Sequence, residues 1–129
     1  MAGDSEVQVA PPILVVDNDP DARGDLVALL DGAGFRAAAA GPQDALALAR
    51  QERPALALLD VLMPDLDGPS LCRRLREHYG RDLPVIFVST VPEYAVASMA
   101  VGCAPWIYLP KSYSSDTLLA TIRRQLSAA

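Results

Sequence analysis

A chain of 129 residues has the size of one ordinary domain and can bury roughly two-thirds of its unfolded surface without staples. Hydrophobic residues make up 51% and charged residues 21%, the balance of a soluble globular domain, and a net charge of −5 argues against direct binding to a nucleic-acid backbone. Cys72 and Cys103 lack zinc-site or disulfide-scaffold spacing, and no segment approaches 18 apolar residues, so two buried free thiols, a reducing cytoplasm and no membrane span are expected.

The opening MAGDSEVQVAPP lacks the basic flank and apolar core of a signal peptide. It reads as a loose acidic tail over residues 1–11, ahead of one domain over 12–127. ILVV (13–16) is a β-branched apolar run and a strand candidate. Asp19 can cap the helix that follows, Pro20 suits its first position, and Gly32 or Gly34 can stop it; Leu26, Leu29 and Leu30 share one face. FRAAAA (35–40) is placed as a second strand mainly by the rhythm of the chain. PQDALALARQER is helical, with Ala45, Leu46, Leu48 and Ala49 as its stripe. ALALL (55–59) is the third strand and runs into Asp60, followed by the turn-rich PDLDGP. SLCRRLREHY is the third helix, with Leu71, Cys72 and Leu75 inward and Arg73, Arg74 and Arg76 read as a solvated face. PVIFVS (84–89), EYAVASMAV, WIYL (106–109) and SSDTLLATIRRQLS complete the alternation. Ser114 or Ser115 can cap the last helix, whose apolar face is Leu118, Leu119, Ile122 and Leu126.

Strands alternating with helices of ten to fifteen residues mean βαβ units. Strands apolar throughout are covered on both faces. The reading is a doubly wound α/β fold with a five-stranded parallel sheet.

Ligands of such sheets bind at the carboxyl ends of the strands. Here those ends carry Asp17 and Asn18, Asp60, Ser89 and Thr90, and, just beyond the fifth strand, Lys111. Lys111 is the only lysine; every other cation is arginine. A compact ammonium suits a carboxylate or phosphate in a way that a guanidinium does not. Clustered carboxylates raise one another's pKa unless a cation shares the site. Mg²⁺, with its liking for one or two carboxylates plus water and phosphate oxygens, meets that need. A carboxylate can also accept a phosphoryl group, with metal and lysine neutralising the transferred oxygens.

With these residues in view, the chain resembles the receiver domain of two-component response regulators over residues 13 to 127. The segments that carry the likeness are ILVVDNDPDAR, ALLDVLMPDLDG, PVIFVST and YLPKSY. The order D-x-x-M-P-x-x-D-G after an apolar strand is the most specific of them. The resemblance implies the flavodoxin-like strand order 2-1-3-4-5. It makes Asp60 the phosphoacceptor, with Mg²⁺ or Mn²⁺ held by Asp17, Asn18, Asp60 and the backbone carbonyl of Leu62. Ser89 falls on the hydroxyl that turns to the phosphoryl group, with Thr90 beside it, and Lys111 on the phosphate-binding lysine. Tyr108 falls on the aromatic switch, which changes the face formed by the last two helices and the last strand. The implied protein is a cytoplasmic bacterial switch rather than an enzyme, limited to self-phosphorylation from small donors and self-dephosphorylation. Its implied partners are a histidine kinase or phosphotransfer domain, with pairing of two copies through the Tyr108 face as a candidate assembly.

The sequence departs from the family pattern in several places. Asn18 stands where a metal-touching acid is usual, which predicts weaker metal binding, with Asp19 a possible partial substitute. Thr90 stands where a smaller residue is usual. Pro110-Lys111-Ser112 replaces the usual Lys-Pro order; a cis bond without proline would cost about 3 kcal/mol, so the Lys111 loop is expected to be set differently. The glycine of VGCAPWIY comes early, which predicts a short or displaced fourth helix. Two rival readings remain: a receiver-like interaction module that works without phosphorylation, and a haloacid-dehalogenase-type phosphatase with Asp17 as nucleophile and Asp19 as acid/base. His78, Asp65, Asp67, Asp44 and Glu52 read as surface, turn or solvated helix residues, and Trp106 as a packed aromatic.

Overall fold

The computed structural model describes residues 10–127. Strands β1 (Ile13–Val16), β2 (Ala37–Ala40), β3 (Leu56–Asp60), β4 (Val85–Ser89) and β5 (Ile107–Pro110) alternate with helices α1 (Pro20–Gly32), α2 (Ala45–Gln51), α3 (Gly68–Tyr79), α4 (Glu93–Met99) and α5 (Ser115–Ser127). A short 3₁₀ turn, Gly80–Asp82, follows α3. All neighbouring strands are parallel, in the order β2-β1-β3-β4-β5. This is the expected doubly wound, flavodoxin-like sheet.

Alternation along each strand divides the core into two layers. Leu14, Val16, Leu59, Val85 and Phe87 pack with Ala45 and Ala49 of α2, Leu71, Cys72 and Leu75 of α3 and Val96 of α4. On the opposite face Ile13, Val15, Leu56, Leu58, Ile86 and Val88 meet Leu26 and Leu30 of α1 and Leu118 and Ile122 of α5. Each such Leu, Ile or Val contributes about 1.5–3 kcal/mol by leaving water. Polar residues interrupt this pattern at the carboxyl ends of the strands, where Asp17, Asp60 and Ser89 are buried.

Caps fix where helices begin. The Asp19 carboxylate accepts the Asp21 N–H at 3.0 Å, with Pro20 first in α1. Asp67 accepts the Ser70 N–H at 2.7 Å and starts α3, a sharper role than turn former. Ser114 accepts the Thr117 N–H at 3.1 Å ahead of α5. The second strand is shorter than expected, because Phe35 packs beneath α1 and α5 and Arg36 turns outward to Glu52 and to the Ala10 carbonyl (3.1 and 2.8 Å). Glu52 is therefore paired, and residues 1–9 of the expected tail lie outside the described residues.

One expectation is overturned. Of the three arginines read as a solvated face, only Arg74 is fully exposed. Arg73 Nη1 donates to the carbonyls of Met99 (3.1 Å) and Val101 (2.8 Å). Arg76 donates to the carbonyls of Cys103 (3.1 Å), Gly80 (3.0 Å), Leu83 and Pro105. The irregular segment before β5 leaves its carbonyls without ladder partners, and half-buried guanidiniums supply the donors. That segment follows a helix of only 7 residues, as the early glycine predicted. Cys72 and Cys103 are free and buried. Burial, with the neighbouring Cys103 sulfur, pushes the Cys72 thiol up to about 12, so it stays neutral. Trp106 packs edge-on against Phe87, and His78 is exposed.

Candidate functional site

Register builds the site. Val16 of β1 pairs with Leu59 of β3, so the residues that follow, Asp17 and Asp60, emerge side by side. Alternation turns both toward the α1/α5 face. Ser89 of β4 lies opposite Pro110 of β5, which brings Lys111 to the same rim. The Lys111 N–H donates to the Ser89 carbonyl at 2.9 Å and anchors the loop. Lys111 Nζ then reaches Asp17 Oδ2 at 3.2 Å and Asp60 Oδ2 at 3.4 Å. These three side chains line a cleft of about 280 Å³ whose other walls include Leu26, Leu29 and Tyr113.

The electrostatics follow from this geometry. Burial pushes the Asp60 carboxyl above the ordinary carboxylate range, the Asp17 charge adds to the rise, and Lys111 only partly offsets it. Burial works against the Lys111 ammonium, but the Asp60 and Asp17 carboxylates outweigh it and hold its pKa above the ordinary value. Burial also raises the Tyr113 phenol, with Lys111 acting in the opposite sense. Two carboxylates share one ammonium, and a further cation is the natural relief.

Asp17 Oδ1 accepts the Asp19 N–H at 2.8 Å, which folds the turn after β1. Asn18 is exposed on that turn, and Asp19 directs its carboxylate to the cap of α1. Among the described residues no three Asp, Glu, His or Cys side chains converge on one point. Leu62, two residues past Asp60, is 56% exposed. Gly68 explains how the loop after β3 closes: its N–H donates to the Val61 carbonyl at 2.9 Å, and a Cβ there would stand 2.2 Å from the Asp60 backbone oxygen.

Ser89 is buried and its Oγ accepts the Val91 N–H at 2.8 Å. Thr90 is exposed beside it. Tyr108 is half-buried, and its hydroxyl donates to the Val91 carbonyl at 2.6 Å. Among the described residues the cis peptide bond is Ala104–Pro105, so the bond after Lys111 is trans. The structure thus joins Asp17 and Asp60 through Lys111, which contacts both. Ser89 stands on the same rim, and Thr90 and Leu62 face outward. Sequence reasoning missed Arg23, whose Nη1 donates to the Asp17 carbonyl at 2.6 Å, and Tyr113 in the cleft. The place of Arg23 one turn into α1, within reach of the end of β1, was its available signal.

A five-stranded parallel sheet in this order, with paired aspartates bridged by a lysine at its carboxyl edge, defines a receiver-type α/β domain. Residues 13–123 match the family described as the response regulator receiver domain, and the chain belongs to that family. It is 34% identical over 115 residues to the C4-dicarboxylate transport transcriptional regulatory protein DctD of Pseudomonas aeruginosa, covering 88% of this chain and 25% of that protein. It is 36% identical over 115 residues to the response regulator MprA of Mycolicibacterium vanbaalenii, covering 88% of this chain and 49% of that protein. The chain therefore spans a quarter to about half the length of these relatives. Among solved structures, the signal receiver domain of a signal transduction histidine kinase from Syntrophus aciditrophicus superposes with a TM-score of 0.81 at 28% identity, over 93% of this chain and 92% of that one. A CheY-like receiver domain from Methanospirillum hungatei, at 24% identity, shares the fold with a TM-score of 0.83 over 93% of this chain and 96% of that one. The phosphatase reading falls with this result: the family match spans the sheet, and the Asp19 carboxylate caps a helix instead of facing the Asp17 side chain as acid/base. No helix among the described residues is long and apolar enough to cross a membrane.

Proposed function

We propose that the chain is a phosphorylation-controlled switch in which Asp60 accepts a phosphoryl group from a histidine kinase or phosphotransfer domain. The observation that carries this reading is Lys111, whose ammonium stands 3.2 Å from Asp17 and 3.4 Å from Asp60. An Asp60 oxygen attacks phosphorus, a P–O bond forms, and the P–N bond to the donor imidazole breaks with its electron pair returning to nitrogen. Lys111 is placed to neutralise charge on the transferred oxygens.

The donor set suits Mg²⁺ or Mn²⁺: two carboxylates that repel each other, an amide and an outward-facing loop, all of them oxygen donors. Asp17, Asp60, the Asn18 amide oxygen and the Leu62 carbonyl would hold the ion. When bound, the metal supplies positive charge against the phosphoryl oxygens. With Asn18 neutral, binding is weaker than in a receiver with two acids after β1.

Ser89 is the hydroxyl that turns to the phosphoryl group, and Tyr108 answers it on the α4–β5–α5 face. That face, or its pairing with a second copy, passes the signal on. Small phosphodonors also serve as substrates, and no other enzymatic turnover is assigned. The location is the bacterial cytoplasm, as suits a kinase-fed switch. NMR with beryllofluoride and Mg²⁺ tests the switch. Shifts at the amides of Ser89, Val91, Tyr108 and Lys111 support it, and a spectrum that does not change favours a receiver-like module working without phosphorylation.

A further inference from the structure

We propose that Arg23 is a positioning residue for the turn after β1, its guanidinium fixing the Asp17 backbone so that the Asp17 carboxylate and the Asn18 amide present oxygen to a divalent cation. The inference rests on reading Asp17 and Asn18 as cation ligands, and extends it to a residue outside the acidic cluster. Arg23 stands in the first turn of α1 and is half-buried. Its Nη1 donates to the Asp17 carbonyl at 2.6 Å. A carbonyl at the last pleat before a turn needs a donor, and a guanidinium supplies a charge-assisted one.

With that bond every polar group of Asp17 is held. Its N–H donates to the Ala40 carbonyl at 3.3 Å. Its Oδ1 accepts the Asp19 N–H at 2.8 Å, and its Oδ2 meets Lys111 at 3.2 Å. The residue that follows β2 leaves room for Arg23: a Cβ on Gly41 would lie 3.3 Å from Nη1, so the side chain passes where glycine leaves space. Groups that orient metal ligands matter as the ligands do, and more so where one ligand is a neutral amide.

Position and charge pull in opposite directions here, which makes the test decisive. Removing a nearby positive charge alone would tighten binding of a divalent cation. Removing a positioning group would weaken it. Mg²⁺ is titrated by calorimetry into the parent, Arg23→Gln and Arg23→Lys proteins, and amide exchange at Asp19 is followed without metal. Arg23→Gln is expected to weaken Mg²⁺ binding about tenfold and to speed Asp19 exchange, with Arg23→Lys between it and the parent. Unchanged or tighter binding in Arg23→Gln overturns the proposal. If Arg23→Gln does not fold, Arg23→Lys decides: weaker binding than the parent supports positioning, and equal binding refutes it. If the parent takes up no Mg²⁺, the cation reading fails separately. Asp19 exchange in the metal-free variants then still shows whether Arg23 holds the turn.

Discussion

Ser89 and Tyr108 are bonded to the same residue from opposite sides. The Ser89 hydroxyl accepts the N–H of Val91 at 2.8 Å, and the Tyr108 hydroxyl donates to its carbonyl at 2.6 Å. A hydroxyl that leaves Val91 for a phosphoryl oxygen frees one end of that peptide pair, and the tyrosine holds the other. Tyr108→Phe removes the second tether without changing the ring. One hydrogen bond is worth about 1 kcal/mol, so beryllofluoride should bind Tyr108→Phe about fivefold more tightly than the parent in a titration with Mg²⁺ present. Equal affinity would show that this bond does not restrain the resting arrangement.

The amide after β1 leads to a second prediction. Asn18 stands exposed on the turn, while Asp19 spends its carboxylate on the cap of α1. Asn18→Asp should therefore tighten Mg²⁺ binding by at least about tenfold, since the added carboxylate attracts the ion and only part of that attraction is lost to screening by solvent and salt. Asp19→Ala should lower stability by about 1 kcal/mol and leave Mg²⁺ affinity within about twofold of the parent. Calorimetry and thermal melts read both. A large loss of Mg²⁺ affinity in Asp19→Ala would put that carboxylate on the metal.

Gly68 packs against the backbone of Asp60. A methyl group there would meet the Asp60 backbone oxygen at 2.2 Å, and the obstacle is backbone, which cannot rotate away. Gly68→Ala should destabilise the domain by about 3 kcal/mol or displace the end of β3, seen as a lowered denaturation midpoint and altered amide shifts at Asp60 and Val61. A variant with native stability and native shifts would show that the loop gives way easily.

Much of this arrangement could be read from the residues, and the exceptions share a cause. The limits of β1 and the start of α1 were plain, because ILVV gives way to a polar turn that ends in the Asp19–Pro20 cap. The gathering of Asp17, Asp60 and Lys111 followed from their places at the carboxyl ends of strands in a parallel sheet. The shortened β2 was obscured by four alanines, which carry little strand preference and leave Arg36 free to seek Glu52. Arg73 and Arg76 were misread because their partners are backbone carbonyls, several of them 26 to 29 residues further on, and such groups are the same at every position. The Val91 link between Ser89 and Tyr108 was hidden for the same reason.

The raised pKa of Asp60 sets a pH dependence. The folded protein binds the Asp60 proton more tightly than the unfolded chain, through burial first and the Asp17 charge second. The stability this gives is fully present below the unfolded value of about 3.9 and is lost as pH rises through the raised folded value. At neutral pH the ionised carboxylate weighs against the metal-free fold. Asp60→Asn should melt about 3–5 °C higher at pH 7, for a gain on the order of 1 kcal/mol. The gap should close as pH falls through the raised value. A variant less stable than the parent at pH 7 would contradict the electrostatic account.

The most direct measurement is intact mass after incubation with acetyl phosphate, for the parent and for Asp60→Asn, with Mg²⁺ and with chelator. The prediction is one added phosphoryl group, on the parent only and only with the metal present. No addition to the parent, or addition that survives Asp60→Asn, would contradict the role given to Asp60.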